Sequence, residues 1–174
     1  MKGIILYKSK YGSTRKYAEW LSEATGFKAV ETDKADLKEV EGCDTVIIGG
    51  GLYASGMNGL SFLKKNIGML KGKKVIAFCC GASPYEETYF KSVRDYNMKD
   101  AIADIPLFYC RGGCDLKNMS FKDRTLCKML IKSLAKKDPK DMAVWEKALV
   151  DAGESAYDCT DREYLKPVLE AIGS

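Results

Sequence analysis

Residues 4–14 constrain the fold of this chain most, because a short apolar run there leads directly into a loop of small hydroxyl residues. A helical pattern starts straight after the loop, with apolar residues at Tyr17, Ala18, Leu21 and Ala24. The loop therefore joins the carboxyl end of a strand to the N-terminus of a helix, where backbone N–H groups and the helix dipole attract an anion, most often a phosphate. Its sequence is neither G-x-G-x-x-G nor G-x-x-x-x-G-K-[ST], which argues against a dinucleotide-binding fold and an NTPase loop.

Further apolar runs predict a parallel sheet. Runs suited to buried strands occur at residues 3–8, 45–50, 74–80 and 105–110, and residues 27–32 form a weaker candidate. Helical periods alternate with them, at residues 17–24 ended by Gly26, at residues 60–70, at residues 86–96 and at the C-terminus, where Thr160 and Glu163 have capping-box spacing. This alternation predicts an α/β fold in which helices cover both faces of a five-stranded parallel sheet.

Length and composition predict one soluble domain, residues 1–174. No apolar run approaches the roughly 20 residues of a membrane span, and no signal-peptide pattern precedes the first strand, so we expect a cytoplasmic protein. The seven cysteines lie in apolar or helical contexts, which favours reduced thiols over a disulfide framework and over a metal site. Because the chain has no histidine, the commonest general base is missing, and we expect a cofactor rather than a catalytic side chain to carry the chemistry.

A long insertion, approximately residues 111–159, separates the last strand from the last helix. Much of it has a helical pattern, with an apolar face formed by Leu126, Met129, Leu130 and Leu134. Residues 120–140 carry seven Lys or Arg and two Asp, a local charge of +5, whereas the whole chain is +4. The remainder is therefore near −1, and the basic character belongs to the insertion.

Three loops should meet at one edge of the predicted sheet, because open parallel sheets bind ligands outside the carboxyl ends of their strands. They are residues 9–14, residues 49–56 and residues 80–84. The second and third loops are rich in small residues that let a flat ligand approach the backbone, and Tyr53 can stack on a ring. The three loops together predict a site for a planar mononucleotide without a metal.

The first loop, Ser9-Lys10-Tyr11-Gly12-Ser13-Thr14, resembles the phosphate loop of the flavodoxin family, [ST]-x-T-G-x-T, with Tyr11 at a position that is usually Thr. The resemblance implies a three-layer flavodoxin-like fold with strand order 2-1-3-4-5 and non-covalently bound FMN. It also implies that the first loop holds the FMN phosphate, and that the flavin ring lies between the second and third loops, flanked by Gly51, Leu52, Tyr53 and Ala54 on one side and by Gly81, Ala82 and Ser83 on the other.

Within that superfamily the insertion is similar to the one in menaquinone-dependent protoporphyrinogen IX dehydrogenases, which also contains a basic amphipathic segment. The first functional hypothesis is therefore an FMN-dependent oxidoreductase or electron-transfer flavoprotein. The narrower alternatives are protoporphyrinogen IX oxidation with transfer of electrons to a quinone, and a non-catalytic electron shuttle between proteins. A small-molecule electron donor or a redox partner protein would complete each reaction, and a binding domain without flavin is a further alternative.

The basic segment has three interpretations: a solvated helix face whose apolar side packs on the sheet, a contact with an anionic membrane surface, or a contact with the propionates of a substrate. The residues concerned are Arg124, Lys128, Lys132 and Lys136. Membrane contact would place the protein peripherally at the inner face of the membrane. We expect no nucleic-acid partner, because no aromatic residues are interleaved with these charges.

Overall fold

The computed structural model describes residues 2–173, so Met1 and Ser174 of the predicted domain lie outside the described residues. The strands of its central sheet are β1 (Gly3–Lys8), β2 (Lys28–Glu31), β3 (Thr45–Tyr53), β4 (Gly56–Met57), β5 (Lys74–Gly81) and β6 (Leu107–Arg111). The order β2-β1-β3-β5-β6 is parallel throughout, which confirms the predicted five-stranded flavodoxin-like topology. The short β4 is an addition, paired antiparallel to the end of β3.

The helices are α1 (Ser13–Thr25), α2 (Leu37–Glu41), α3 (Leu60–Asn66), α4 (Glu87–Asn97), α5 (Phe121–Leu134), α6 (Val144–Ala152) and α7 (Lys166–Gly173). Gly26 ends α1 as predicted, in a left-handed conformation with φ 73° whose N–H donates to the Ser22 carbonyl. Among residues 2–173, no helix combines the length and the apolar character needed to cross a bilayer.

Both faces of the sheet are buried, because successive strand residues point to opposite sides. Leu6 and Ile48 pack in the layer that contains α3 and α4, whereas their neighbours Ile5 and Ile47 pack in the layer that contains α1 and α7. This arrangement produces continuous apolar strands rather than alternating ones, which is the pattern visible in the sequence.

The insertion is only partly helical. It contains α5 and α6, but its two ends pair as an antiparallel ladder of β7 (Gly113–Cys114) and β8 (Tyr157–Asp158). Two-residue strands have no detectable periodicity, so the sequence pattern did not reveal this ladder. The ladder returns the chain to the sheet edge before α7 begins.

Two local predictions are wrong. The predicted second helix ends at Asn66, so Ile67 and Leu70 lie in the turns that follow it. The capping box of Thr160 and Glu163 does not form, because the Thr160 N–H donates instead to the Asp158 carboxylate at 2.9 Å. Asp161 takes its place, and its carboxylate caps a 3₁₀ turn that leads into α7, accepting from the Glu163 N–H at 3.0 Å.

The last strand starts later than predicted, at Leu107 rather than at residue 105. Pro106 explains the shift, because it has no N–H to donate to the ladder, although its carbonyl accepts from the Ala77 N–H at 2.8 Å.

The glycines of residues 49–51 do not form a loop, because β3 continues to Tyr53. A Cβ added at Gly49 would lie 2.2 Å from the Phe78 ring, and one added at Gly50 would lie 1.9 Å from the Asn58 carbonyl oxygen. The prediction that these two glycines admit a ligand is therefore wrong, since neighbouring protein atoms fill that space. Only Gly51 reaches the edge where a ligand could approach.

We expect Gly50→Ala to lower the free energy of unfolding by about 2 kcal/mol or more, because the new methyl group would overlap the Asn58 carbonyl. Asn58 is tied to β3, since its N–H donates to the Gly51 carbonyl. Gly68→Ala is the matched control, since a Cβ there has no heavy atom within 4 Å. Urea unfolding of both variants measures the difference. Equal stability of the two variants would contradict this account of the glycine run.

Candidate functional site

The three loops meet at the carboxyl edge of the sheet, where they line one cavity of about 220 Å³. Ten of the thirteen predicted residues line it directly: Ser9, Tyr11, Ser13, Thr14, Gly51, Leu52, Tyr53, Ala54, Gly81 and Ala82. Of the others, Ser83 lines an adjoining cavity, Gly12 borders a neighbouring one, and Lys10 contacts the insertion. Binding of a flavin by these residues stays a prediction.

The first loop ends at Gly12, which precedes α1 with φ 101°, a conformation that favours glycine. Its N–H donates to the Ser9 hydroxyl at 3.2 Å, which holds the loop in a tight turn. No side chain caps α1, and no acidic residue lies in its first turn. The first N–H groups of the helix therefore remain available to an anion, and the local field favours one.

The hydroxyl groups that follow Gly12 are partly engaged by the protein itself. Ser13 Oγ accepts from the Gly113 N–H at 3.3 Å, which ties the loop to β7. Thr14 is buried at 3% exposure beside Cys80, where it contacts the thiol. Both residues nevertheless line the cavity.

Lys10 and Tyr11 contact the insertion in a way that the sequence did not indicate. The Lys10 ammonium and the Tyr11 hydroxyl both donate to the carboxylate of Asp123, in the first turn of α5. The hydrogen bond from Lys10 holds the pKa of Asp123 below its usual range. An ionised carboxylate therefore lies beside the loop that we expect to bind a phosphate.

The second loop is the tip of the β3–β4 hairpin, and its backbone is strained. Ala54 and Ser55 have φ values of 47° and 66°. The buried side chain of Asn97 on α4 fixes this tip, since it accepts from the Met57 N–H at 2.7 Å and donates to the Ser55 carbonyl at 2.6 Å. No sequence pattern indicated this support, because Asn97 lies about 40 residues further along the chain.

Tyr53 lies half-buried at the base of the same tip. Burial raises the pKa of its hydroxyl to about 12, so the ring stays neutral at physiological pH. Its ring lies edge-on to that of Tyr11, with the centroids 6.2 Å apart. The two aromatic residues form one wall of the cavity, between the first and second loops.

Hydrogen bonds from β6 and from the insertion hold the third loop in place. Tyr109 donates its hydroxyl to the Ser83 carbonyl at 2.7 Å, and a Cβ at Gly81 would lie 2.4 Å from that hydroxyl oxygen. The Gly112 N–H donates to the Gly81 carbonyl at 2.7 Å. Tyr157 of β8 donates its hydroxyl to the Ala82 carbonyl at 3.4 Å.

The insertion completes the cavity, which sequence analysis did not predict. The additional lining residues are Cys80 from β5 and, from the insertion, Gly112, Gly113, Cys114, Met119, Cys127 and Leu149. The only sequence signal for this arrangement was the unusual length of the insertion. Its contribution depends on long-range contacts that the spacing of residues does not encode.

A second cavity of about 470 Å³ adjoins the first and shares five lining residues with it, Leu52, Ala54, Gly81, Ala82 and Leu149. Its other walls are Ser55, Ser83, Tyr89, Leu130, Trp145, Ala148 and Tyr157. The rings of Tyr89 and Trp145 lie 6.2 Å apart and are tilted by 31°. Within the described part of the chain, the residues that line this cavity include no Asp, Glu, Lys or Arg.

The four basic residues predicted to contact substrate or membrane occupy different surroundings. Arg124 is committed to the protein, because its guanidinium donates to the carbonyls of Leu116, Lys117 and Met119. Lys128 forms an ion pair with Glu154 at 2.8 Å. Lys132 and Lys136 are exposed on and just beyond the end of α5.

The apolar residues of α5 are mostly exposed, contrary to the interpretation in which they pack on the sheet. Leu134 is buried, but Leu126 and Met129 are 55% and 63% exposed, and Phe121 is 84% exposed. The side of α5 that faces the protein instead carries Asp123, Arg124, Cys127, Ile131 and Leu134. The helix therefore presents an outer face on which apolar residues and lysines alternate.

The cysteines differ in burial and in their access to the cavity. Cys43, Cys79 and Cys110 are buried at 3% exposure or less, and Cys79 and Cys80 lie in the sheet as predicted for strand residues. All seven are free thiols. Among residues 2–173, no group of three or more potential ligands is arranged to hold a metal ion.

Comparisons with solved structures find many similar chains. A WrbA-like flavodoxin from Agrobacterium tumefaciens is 17% identical, with a TM-score of 0.46 over 71% of this chain and 87% of that one. The two-electron reduced flavodoxin of Megasphaera elsdenii is 19% identical, with a TM-score of 0.42 over 62% and 82%. Rubredoxin oxygen:oxidoreductase from Desulfovibrio gigas is 17% identical, with a TM-score of 0.45 over 86% of this chain but only 36% of that one.

No curated protein matches the chain. The sequence pattern of one family does, however, match residues 4–142. This range includes the first loop, the strands β2, β3, β5 and β6 of the parallel sheet, and most of the insertion. That family is described as a flavodoxin domain. Because the match extends over well more than half of the sequence, the chain belongs to the flavodoxin domain family.

Proposed function

We propose that this protein is an FMN-dependent oxidoreductase whose second substrate is uncharged and planar, with a quinone as the best-fitting class. Bound FMN would supply the electron transfer, since flavins accept and donate electrons at the ring. Membership of the flavodoxin domain family supports a flavin cofactor. The uncapped start of α1, with Ser13 and Thr14 beside it, has the chemistry of a phosphate site.

The chain's own residues would orient the cofactor. The backbone of residues 12–14 would hold the phosphate, and the wall that contains Tyr53 would contact one face of the ring. Gly81 and Ala82 would lie on the other side, held there by Tyr109 and Tyr157. The insertion would reduce the access of water to this edge, since Met119 and Leu149 add apolar walls to the cavity.

The choice of substrate class rests on the second cavity. It opens beside the first cavity, through the residues that the two share, and its aromatic wall is uncharged. A site of this kind binds a flat apolar molecule and penalises an ionised one, because burying an unpaired charge is costly. Tyr89 provides a hydroxyl that could donate to an oxygen atom of a quinone.

The same observation ranks the alternatives. Protoporphyrinogen IX carries propionates, which would require cations that this lining lacks, and Arg124 and Lys128 already have partners. Porphyrinogen oxidation is therefore the less favoured alternative. A pure electron shuttle between proteins would need no second cavity and would show no turnover with a small quinone.

The Asp123 contact predicts how the cofactor is held. We expect Asp123→Asn to tighten FMN binding by about threefold to tenfold at low ionic strength, because it removes a negative charge from beside the phosphate and frees Lys10 to approach it. Fluorescence titration of the apoprotein with FMN measures the dissociation constant.

Asp138→Asn is the matched control. Asp138 also caps a turn in the insertion, but it lies beyond the other end of α5, about 20 Å away along the helix. Weaker FMN binding in Asp123→Asn alone would mean that the carboxylate orients Lys10 instead of opposing the phosphate. Failure of both proteins to bind FMN would refute the proposed cofactor.

Ala148→Glu tests the second cavity, since it places a carboxylate on the uncharged wall. We expect reoxidation of the reduced protein by a methylated naphthoquinone to slow by about tenfold or more, while FMN affinity changes little. Lys147→Glu adds the same side chain to the exposed side of α6 and should leave the rate unchanged. Stopped-flow absorbance at the flavin bands gives both rates.

The wild-type protein should also prefer the methylated naphthoquinone to a sulfonated one of similar size. Equal rates with both quinones, or equal rates in the two variants, would show that electrons leave the flavin by another route. No reoxidation by either quinone would favour the shuttle.

We further propose that the outer face of α5 contacts an anionic membrane surface. The face combines exposed Phe121, Leu126 and Met129 with the exposed Lys122 and Lys132. Apolar side chains enter the boundary of the bilayer, and lysines attract anionic lipid headgroups. An apolar quinone would be supplied from such a membrane, so this contact agrees with the proposed substrate class.

We expect the protein to sediment with phosphatidylglycerol vesicles at low salt and not with phosphatidylcholine vesicles. A double variant, Phe121→Ser with Met129→Ser, should lose most of this binding, because both side chains are more than 60% exposed and contribute to membrane insertion. Leu37→Ser is the control, since Leu37 is 47% exposed on α2. Unchanged sedimentation of the double variant would refute the assigned face.

A further inference from the structure

Two cysteines of the insertion lie at the first cavity together. Cys114 ends β7, and Cys127 lies on the inner side of α5, one turn after Asp123. Both line the cavity. Burial raises the pKa of each thiol, and that of Cys114 is raised further because the Cys127 thiol lies nearby. Two separate elements of the insertion thus bring two neighbouring thiols to one cavity.

The elements that carry these thiols are both fastened to the first loop. The Gly113 N–H, next to Cys114, donates to the Ser13 hydroxyl at 3.3 Å. Asp123 accepts hydrogen bonds from Lys10 and Tyr11. The positions of the two thiols are therefore coupled to the loop that would hold the cofactor phosphate.

The other cysteines have different surroundings. Cys80 also lines the cavity, but it is 6% exposed within the sheet, and its thiol contacts the Thr14 hydroxyl. Cys43, Cys79 and Cys110 are fully enclosed by the core. Cys159 is partly exposed, but it does not line the cavity. The pair of Cys114 and Cys127 is thus distinguished by both access and proximity.

We propose that Cys114 and Cys127 form a reversible dithiol–disulfide couple that exchanges electrons with the bound flavin. This inference rests on the proposed function, which supplies the flavin and its electron donor. In one direction the sulfur–sulfur bond breaks, and two electrons and two protons from the reduced flavin produce two thiols. In the other direction the bond forms, and the two thiols give the same electrons and protons to the oxidised flavin.

The couple would store a second pair of electrons beside the flavin. The protein could then accept two pairs of electrons before it releases any to a substrate in the second cavity, which adjoins the first. Because the thiolate is the reactive form, the raised pKa values make both thiols react slowly with any oxidant at neutral pH.

The first experiment uses the apoprotein and needs no flavin. The protein is treated with diamide, the remaining thiols are alkylated, and the digest is analysed by mass spectrometry. We expect the peptides of Cys114 and Cys127 to be cross-linked, and reaction to quicken as pH rises, because the thiolate fraction grows. Absence of that cross-link, or a link from either residue to Cys159 instead, would overturn the pairing.

The second experiment counts electrons in the oxidised FMN complex. Anaerobic dithionite titration should consume about four electrons per flavin in the wild-type protein, but about two in the double variant Cys114→Ser with Cys127→Ser. Cys159→Ser is the matched control and should keep the wild-type count. A count of about two in the wild-type protein would overturn electron exchange with the flavin.

The two experiments separate the inference from the proposed function. If the apoprotein forms the cross-link but binds no FMN, the proposed function has failed, and the exchange with flavin fails with it, although the pairing stands. If FMN binds and no cross-link forms, the proposed function stands and the couple is refuted.

Discussion

Parallel pairing of the strands is the constraint on which the rest of the structure depends. Since β1, β3, β5 and β6 run in one direction, each strand delivers the loop at its carboxyl end to the same edge of the sheet. Pairing keeps these ends in register, so that Lys8 lies opposite Gly50, and Gly51 opposite Cys80. Loops that are far apart in the sequence therefore share one cavity.

The insertion adds walls to the cavity at that edge. Backbone and hydroxyl hydrogen bonds from Gly112, Gly113 and Tyr157 fasten it to the first and third loops. Asp123 adds a charged contact to the first loop. These attachments explain why the second cavity lies where it does, because its outer walls belong to α5 and α6 and its inner walls to the second and third loops and to α4.

The strands, the start of α1 and the convergence of the three loops were predictable, since each depends on local apolar patterns and on the rule that parallel strands end at one edge. The β3–β4 hairpin was not, because the glycine run looked like a turn although Phe78 and the Asn58 carbonyl require glycine at those positions. Asn97, which supports the hairpin, and Leu149, which lines the cavity, act through contacts across long sequence separations.

The sequence by itself determined the architecture, because the period of apolar residues reports which face of each element is buried. It also determined that an anion could bind after the first strand, because a helix start with small residues is a local property. Only the tertiary structure decided that Met129 faces outwards, that Cys114 and Cys127 line one cavity, and that Asp123 lies beside Lys10. Those relations depend on how the insertion docks, and docking is set by shape and by hydrogen bonds between distant residues rather than by periodicity.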